Sequence, residues 1–261
     1  MATIVKRNKL GVWKDVIFAL FIREIRTGFN DKFGLSWAIL NPLIFIVILS
    51  YGRSFIGGEI THTMPTFSFM LYGMLLIQLF LTTLNSGTSA ITKNKSLFSF
   101  KQVQPISSII ATVTFELLIK FAVVIFIVLF MYLMGLEIRI DDPLKLIMNI
   151  LALWLLASSL SCVFAISVCY IPELNKVFGL LTRPLFFISG IFFSLQDIPK
   201  EYWYLLDWNP ILHAVELSRD AAYTTFNAQG VSENYLLICT LTITFFALAV
   251  YHAYWKQAIS R

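Results

Sequence analysis

Charged residues are scarce in this sequence of 261 residues: Asp, Glu, Lys and Arg together make up 13%, whereas hydrophobic residues make up 58%. Soluble domains carry about 25% charged residues, so this composition excludes a soluble enzyme or a soluble binding module. Long apolar runs instead predict an all-α integral membrane protein, because helices satisfy their own backbone hydrogen bonds in lipid. The length suits a single membrane domain over residues 1–261.

The sequence also lacks the motifs that carry most nucleotide and metal chemistry. It contains no GxxxxGK[ST] loop for ATP and no HExxH or Cys/His cluster for a metal ion, so we expect neither metal nor cofactor in this chain. A membrane-embedded transferase acting on lipid-linked sugars would need convergent acid/base or metal residues, which the sequence does not supply. No basic patch with interleaved aromatic residues occurs, which argues against nucleic acid as a partner.

Cysteines and paired carboxylates are equally few. Cys162, Cys169 and Cys239 all lie in apolar stretches, where we expect small buried hydrophobic side chains rather than a disulfide framework. Glu216 is followed by an acidic residue four positions later, but Arg219 lies between them. A structural charge cluster is therefore favoured over acid/base catalysis at this point.

Six apolar runs are long enough to be transmembrane helices. They are Phe33–Gly52, Thr63–Thr92, Ile106–Met134, Leu146–Tyr170, Val177–Leu195 and Asn234–Trp255. Residues 13–32 precede them with apolar side chains at helical spacing, but they carry too many charges to cross. This segment predicts an amphipathic helix at the cytoplasmic interface, either a plain anchor or a gate.

The distribution of basic residues predicts the orientation. With both termini in the cytoplasm, fourteen Lys and Arg residues fall on the cytoplasmic side and five on the external side. Cytoplasmic loops collect Lys and Arg, so this asymmetry predicts a multi-pass membrane protein with both termini inside. Lys120 lies within the third span, four residues after Glu116, which is the favourable order for an intrahelical charge pair.

Residues 188–223 form an apolar stretch that is interrupted by charges and prolines at short intervals. Ile198–Asp207 and Pro210–Ala222 are each too short to cross, and Asn209 marks the break between them. We predict a re-entrant hairpin of two short helices over residues 196–223 on the external side, since broken backbone at membrane depth needs protein or water around it. An amphipathic loop lying on the headgroups is the alternative.

The loop over residues 93–105 alternates basic and aromatic residues and ends at a proline. Such a segment favours a short cytoplasmic helix that docks into a groove of another protein, although the aromatic residues also suit the membrane interface. The candidate docking residues are Lys95, Leu97, Phe98, Phe100 and Lys101.

Several ordered blocks of sequence carry a family resemblance over nearly the whole chain. They are FIREIRTGF (21–29), LSWAILNP (35–42), NKSLFSFKQVQPI (94–106), IPELNKV (171–177), RPLFFISGIFFSLQDIP (183–199) and WNPILHAVELSRDA (208–221). With these blocks the chain resembles the membrane subunits of ABC-2 type exporters, most closely the permeases for group 2 capsular polysaccharides. Exporters of O-antigen-type glycans, or of small lipids and drugs, are the alternatives.

This resemblance implies a homodimer paired with two copies of a separate ATPase, which would bind the ATP and Mg. It implies that residues 93–104 form the coupling helix, that residues 13–32 form a gate helix and that the hairpin lies at the exit of a channel. The implied cargo is a lipid-linked acidic polysaccharide, with periplasmic and outer-membrane capsule export proteins as further partners.

Two sets of side chains are candidates for contact with such a cargo. Arg23 and Arg26 offer planar donors to a lipid phosphate, although attraction to bilayer headgroups explains them equally. Aromatic rings offer flat faces on which a glycan slides, although an aromatic belt at the interfaces has the same composition. The aromatic candidates are Trp37, Tyr51, Trp154, Tyr202, Trp203 and Trp208.

Overall fold

A computed structural model describes residues 8–30 and 32–260 and shows an almost entirely helical chain. Three of the fourteen basic residues counted on the cytoplasmic side, Lys6, Arg7 and Arg261, lie outside the described residues, as does Asp31 of the predicted amphipathic segment. The α-helices are α1 (Lys9–Asn30), α2 (Lys32–Gly57), α3 (Thr66–Lys93), α4 (Pro105–Leu133), α5 (Pro143–Tyr170), α6 (Leu174–Ile188), α7 (Pro210–Ala222) and α8 (Glu233–Ser260). Strands β1 (Ile60–Thr61) and β2 (Met64–Pro65) form a small antiparallel hairpin between α2 and α3.

Four of the described helices are long and apolar enough to cross a membrane. They are α3, α4, α5 and residues Glu233–Ala258 of α8. They coincide with the second, third, fourth and sixth predicted spans, which confirms the all-α membrane character. In α2, which runs from Lys32 to Gly57, Leu40–Phe55 is an apolar stretch within the described side chains.

The fifth predicted span differs most from the structure. Helix α6 has 15 residues and ends at Ile188, whereas the apolar run predicted a helix to Leu195. At 1.5 Å per residue α6 is about 22 Å long, which is shorter than the hydrocarbon core. The chain turns after α6 because Gly190 has a φ of +74°, a conformation that favours glycine.

Helix α3 lies at the centre of the bundle. It packs mainly against α5 and α4, and also contacts α2 and α7. Its buried side chains, such as Ile77 and Phe80, join those of α4, α5 and α7 in the largest hydrophobic cluster. A second cluster, at the cytoplasmic end in the predicted orientation, includes Phe98 and residues of α8 such as Tyr251.

Helix α1 covers most of the predicted amphipathic segment and lies against α4. Gly28 allows the close approach, because a Cβ atom there would lie 2.6 Å from the ring of Phe115. Phe18 and Phe29 remain exposed on α1. One side of the helix therefore packs on the bundle, and another side exposes apolar residues that can enter the membrane interface, as is typical of an interfacial helix.

Candidate functional site

Helix α7 is the second half of the predicted external hairpin, and it begins and ends at the predicted residues. Asn209 caps it, since its Oδ1 accepts a hydrogen bond of 3.0 Å from the amide of Ile211. Pro210 occupies the first turn, where its missing N–H costs nothing. Almost every side chain of α7 is buried against α3, α5 or α8, so α7 is a core helix of this chain.

Arg219 is the most fully buried large side chain and holds three parts of the chain together. Its guanidinium donates to the carbonyl oxygens of Phe69 (3.1 Å), Ile191 (3.1 Å) and Phe193 (3.4 Å). It also lies over the ring of Phe69, 3.5 Å from the centroid. Gly73 leaves the necessary space, because a Cβ atom there would lie 2.7 Å from Nη2 of Arg219.

Glu216 neutralises this buried cation. Arg219 Nη1 donates to Oε1 of Glu216 at 2.9 Å, and the Oγ of Ser194 donates to Oε2 at 2.7 Å. Both charged side chains are 0% exposed. Burial lowers the pKa of Arg219 to about 10 against the opposing effect of Glu216, so the guanidinium stays charged at neutral pH. The predicted structural charge cluster is thus confirmed for these two residues.

The first half of the hairpin differs from the predicted helix over Ile198–Asp207. It is a 3-10 turn over Lys200–Leu205, exposed on most of its surface. Tyr202 is 52% and Trp208 57% exposed. In contrast, Trp203 packs against Gly230 and donates from Nε1 to the carbonyl of Ile198 at 2.8 Å.

The remaining aromatic candidates fall into two groups. Trp37 and Tyr51 are exposed along α2. Trp154 is instead part of the bundle interior, where its Nε1 donates to the carbonyl of Val113 on α4 at 3.0 Å. A ring fixed between α4 and α5 is unavailable to a passing glycan, so Trp154 is better described as a packing residue.

A polar cluster that the sequence prediction missed connects the turn before α3 to the turn after α6. Asp197 accepts from Ser194 N (2.8 Å) and lies 2.6 Å from Nε2 of His62. Arg53, 3.9 Å from Asp197, also donates to the carbonyl of Phe192. His62 and Asp197 are 135 positions apart, so no local motif indicates their contact.

The segment predicted to dock a partner is a 3-10 helix over Lys95–Ser99 followed by a turn in which the amide of Val103 donates to the carbonyl of Phe100 at 2.9 Å, rather than a helix over 93–104. Its two phenylalanines point in different directions. Phe98 is 9% exposed and belongs to the second hydrophobic cluster, whereas Phe100 is 64% exposed. Lys95 and Lys101 are exposed, and Leu97 is half-buried.

Arg23 connects α1 to the start of this turn. Its guanidinium donates to Oδ1 of Asn94 and, at 2.9 Å, to Oε1 of Glu24. Asn94 is buried and in turn donates to the carbonyl of Ala90 at 2.8 Å. Arg23 is therefore already occupied by protein groups, while Arg26 is exposed on α1. Of the two predicted phosphate ligands, Arg26 makes no such contact within residues 8–30 and 32–260.

Glu116 and Lys120 both contact α3 rather than each other. Ser86 Oγ donates to Glu116 Oε1 at 2.6 Å, and Lys120 Nζ donates to Gln78 Oε1 at 3.4 Å. Among the residues that the structure describes, no direct ion pair joins the two, which differs from the predicted intrahelical pair. The reason is that α3 offers a polar partner to each side chain across the α3–α4 contact.

No three His, Cys, Asp or Glu side chains lie close enough to hold a metal ion within residues 8–30 and 32–260.

A sequence profile described as "ABC-2 type transporter" matches residues 15–223, which is most of the chain. The chain belongs to the ABC-2 type transporter family.

Three relatives of this ABC-2 protein align with it over nearly the whole length of both chains. The chain is 40% identical over 250 residues to a "Polysialic acid transport protein KpsM" of Escherichia coli, covering 94% of this chain and 95% of the relative. It is 24% identical over 249 residues to a "Capsule polysaccharide export inner-membrane protein BexB" of Haemophilus influenzae, covering 94% and 92%. It is 23% identical over 248 residues to a "Capsule polysaccharide export inner-membrane protein CtrC" of Neisseria meningitidis, covering 93% and 92%.

In this ABC-2 chain a single helix reaches both regions of interest. The first turns of α3 hold Phe69 and Gly73 against Arg219, and its last residue, Lys93, precedes Asn94, to which Arg23 bonds. With 28 residues, α3 is about 42 Å long. The turn network around Arg219 and the exposed turn that contains Phe100 are thus joined by one continuous helix.

We expect Lys120→Met to be less stable than the double variant Glu116→Gln, Lys120→Met. The single change leaves Glu116 as an unbalanced charge inside the bundle, whereas the double change leaves none. Thermal unfolding of the purified protein in detergent measures the difference. Gln78→Leu, which removes only the partner of Lys120, is the matched control and should fall between the two; a double variant that is the least stable would contradict the compensation.

Proposed function

We propose that this chain is the membrane subunit of an ATP-driven exporter that moves lipid-linked capsular polysaccharide across the bacterial inner membrane. The observation that carries the proposal is the 40% identity, along 94% of the chain, to a polysialic acid transport protein. The chain itself acts as a permease, and a separate ATPase subunit binds and hydrolyses ATP. The direct test is complementation of a capsule-deficient strain that lacks its own permease gene, with surface polysaccharide measured by antibody binding.

The proposed topology has six crossings with both termini in the cytoplasm. The fifth crossing combines α6 with the turn over residues 189–197, because α6 alone is too short. The turn does not need regular hydrogen bonds, since Arg219 binds the carbonyls of Ile191 and Phe193. Helix α1 lies along the cytoplasmic interface, and residues 196–223 dip into the external side without crossing.

The proposed assembly is a homodimer with two ATPase subunits. Helices α2 and α6 carry many exposed apolar side chains, and α6 has few contacts within its own chain. Their exposed residues include Trp37, Ile48, Tyr51, Phe55, Leu180, Leu181 and Phe187. A second copy would cover part of these surfaces and enclose the conduit between the two chains, while further capsule export proteins would continue it beyond the membrane.

The ATPase contact is proposed for the cytoplasmic turn that contains Phe100. An exposed aromatic ring between Lys95 and Lys101 is the anchor that a groove in a partner would accept, and rings of this kind dominate many interfaces. A movement of this turn would then be transmitted to α1 through the hydrogen bond between Asn94 and Arg23. Arg26, exposed nearby on α1, is the proposed ligand for the lipid phosphate of the cargo.

The external rings of Tyr202 and Trp208 are the proposed glycan contacts at the exit. We expect a single cysteine at Tyr202, in a background where the three native cysteines are Ser, to react with a membrane-impermeant maleimide added to whole spheroplasts. Phe100→Cys is the matched control and should react only after the membrane is opened. Labelling of both sites, or of Phe100→Cys alone, in closed spheroplasts would contradict the proposed orientation.

A further inference from the structure

Helices α4 and α5 both pack on α3 but contact each other much less, which leaves a crevice between them. The crevice is a cavity of about 210 Å³. Its walls on α3 and α4 are each one face of a helix, because the lining residues recur every three or four positions. On α4 these residues include Leu117, Phe121, Val124, Val128 and Met131. The crevice is therefore a groove that runs along the helices.

The crevice is lined mostly by apolar side chains and opens on the outside of the bundle. Leu76 and Leu79 of α3 are buried at its floor, whereas Phe121 of α4 and Ile147 of α5 are exposed at its edges. An apolar cavity of about 150 Å³ in a soluble protein stays dry and binds benzene instead. The cavity between α4 and α5 therefore fits a hydrocarbon better than water, and acyl chains are the hydrocarbon that surrounds a spanning helix.

The length of the crevice matches about half the thickness of a membrane. Its lining on α3 runs from Ser68 to Leu79, about 17 Å along the helix axis, and one leaflet contributes about 15 Å of hydrocarbon. Near the inner end Lys120 lies at the middle of α4, and its Nζ donates to Oε1 of Gln78 at 3.4 Å. One acyl chain would therefore fill the crevice from the membrane surface down to this polar contact.

The outer rim of the crevice carries two charged side chains from the connection between α4 and α5, Glu137 and Arg139. Nε and Nη2 of Arg139 donate to Asp141 at 2.7 and 2.8 Å, and its Nη1 makes no hydrogen bond to any residue that the structure describes. Across residues 8–30 and 32–260, the carboxylate of Glu137 makes neither a hydrogen bond nor an ion pair. With Asp141 included, the rim thus carries one more negative charge than positive charges.

We propose that this crevice binds one acyl chain of a zwitterionic phospholipid, phosphatidylethanolamine, with the phosphate on Arg139 and the ammonium on Glu137. An anionic headgroup such as phosphatidylglycerol has no ammonium for Glu137 and is repelled by the excess negative charge of the rim. In the proposed topology the rim is external, so the lipid belongs to the external leaflet. Its acyl chain supplies the contacts between α4 and α5 that protein side chains do not make.

Two other occupants fit the crevice less well. None of its lining residues lies on α2 or α6, the helices proposed to pack against a second copy, so the lipid does not compete with the dimer. The lipid phosphate of the cargo is assigned to Arg26 on α1. The neighbouring Arg23 bonds to Asn94, which follows the last residue of α3, whereas the rim of the crevice lies near the first turns of α3.

Native mass spectrometry of the purified full-length chain measures the bound lipid. In detergent micelles with equal amounts of phosphatidylethanolamine and phosphatidylglycerol, we expect one phosphatidylethanolamine per chain. Val128→Trp fills the crevice from α4 and Leu151→Trp fills it from α5, so each should reduce bound phosphatidylethanolamine about tenfold. Leu129→Trp is the matched control, because Leu129 is exposed on α4 outside the crevice, and it should bind as much lipid as the wild type.

Headgroup preference is a second readout, which a loss of stability alone would not change. Glu137→Gln removes the partner of the ammonium and should shift the ratio of bound lipids about fivefold toward phosphatidylglycerol. Glu201→Gln removes an exposed carboxylate outside the crevice and should leave the ratio unchanged. Arg139→Gln should weaken the binding of both lipids, since both carry a phosphate.

The wild-type chain alone can overturn the proposal, either by retaining only detergent or by preferring phosphatidylglycerol. Unchanged lipid binding by folded Val128→Trp and Leu151→Trp would also overturn it, with folding measured by size-exclusion chromatography. If neither tryptophan variant folds, an unchanged lipid ratio in Glu137→Gln has the same consequence. These measurements do not depend on export, so failure to restore a capsule would contradict the proposed function and not the lipid site.

Discussion

Arg219→Leu should eliminate most of the folded protein. The change removes four protein partners at once and leaves Glu216 as a fully buried, uncompensated carboxylate. Breaking a buried ion pair on one side typically costs about 3–5 kcal/mol, which is a large part of the stability of most proteins. The amount of monodisperse protein after detergent extraction, measured by size-exclusion chromatography, is the appropriate readout.

Two variants separate the charge effect from the loss of contacts. Arg219→Leu combined with Glu216→Gln should recover part of the yield, because no buried charge remains, but not all of it, because the carbonyls of Ile191 and Phe193 lose their donor. Asp220→Asn, at a neighbouring residue whose carboxylate accepts a hydrogen bond from the amide of Ala228, should be nearly neutral. Full yield from Arg219→Leu alone would show that the network is dispensable.

Phe100→Asp should abolish export while leaving the permease folded. The side chain is exposed in the isolated chain, so the change costs little stability there. In a docked complex the carboxylate would be buried without a partner, a cost of several kcal/mol that corresponds to more than a tenfold loss of affinity. Co-purification of the ATPase with tagged permease, together with surface capsule, measures both consequences.

The other phenylalanine of the same turn provides the contrast. Phe98 lies in the second hydrophobic cluster, so Phe98→Asp should lower the folded yield before any partner is involved. Phe100→Leu keeps an apolar side chain and should retain most of the ATPase. If Phe100→Asp leaves both the complex and the capsule unchanged, the coupling contact lies elsewhere on the cytoplasmic face.

Local sequence signals predicted much of the fold. Helix α7 begins at Pro210 and ends at Ala222 as expected, because Asn209 and Pro210 are an N-cap and a first-turn proline whose effect is local. The four long apolar helices could also be predicted, since hydropathy over about 20 residues decides whether a segment can cross the membrane.

Features that depend on partners distant in sequence were not predictable in this way. In the apolar run from Val177 to Leu195 a single glycine, Gly190, is only a weak local signal that the helix ends at Ile188, and the turn also depends on Arg219, 28 residues beyond Ile191. Similarly, the separate bonds of Glu116 and Lys120 depend on where Ser86 and Gln78 fall on α3. Sequence spacing alone favoured the simpler intrahelical pair.

The candidate site shows the same division. Composition indicated that the segment around Phe98 and Phe100 is amphipathic, but it did not indicate which of the two rings would be buried in the second hydrophobic cluster. Nor did it indicate that Arg23 is bound to Asn94, 71 positions away, which leaves Arg26 as the exposed cation of the pair.

The continuity of α3 has a mechanical consequence. No proline interrupts its 28 residues, and neighbouring side chains pack closely on both of its glycines: Arg219 on Gly73 and Ser161 on Gly87. Ser86 and Gly87 form a pair at which helices can kink, but the close contact with Ser161 supports the helix there, so we expect a displacement imposed at Asn94 to be transmitted along α3. The carbonyl of Phe69, at the opposite end of α3, should be displaced at the same time, together with the turn that Arg219 binds. A movement of the turn at Asn94 should therefore be accompanied by a movement of the turn at Arg219, although the two lie at opposite ends of α3.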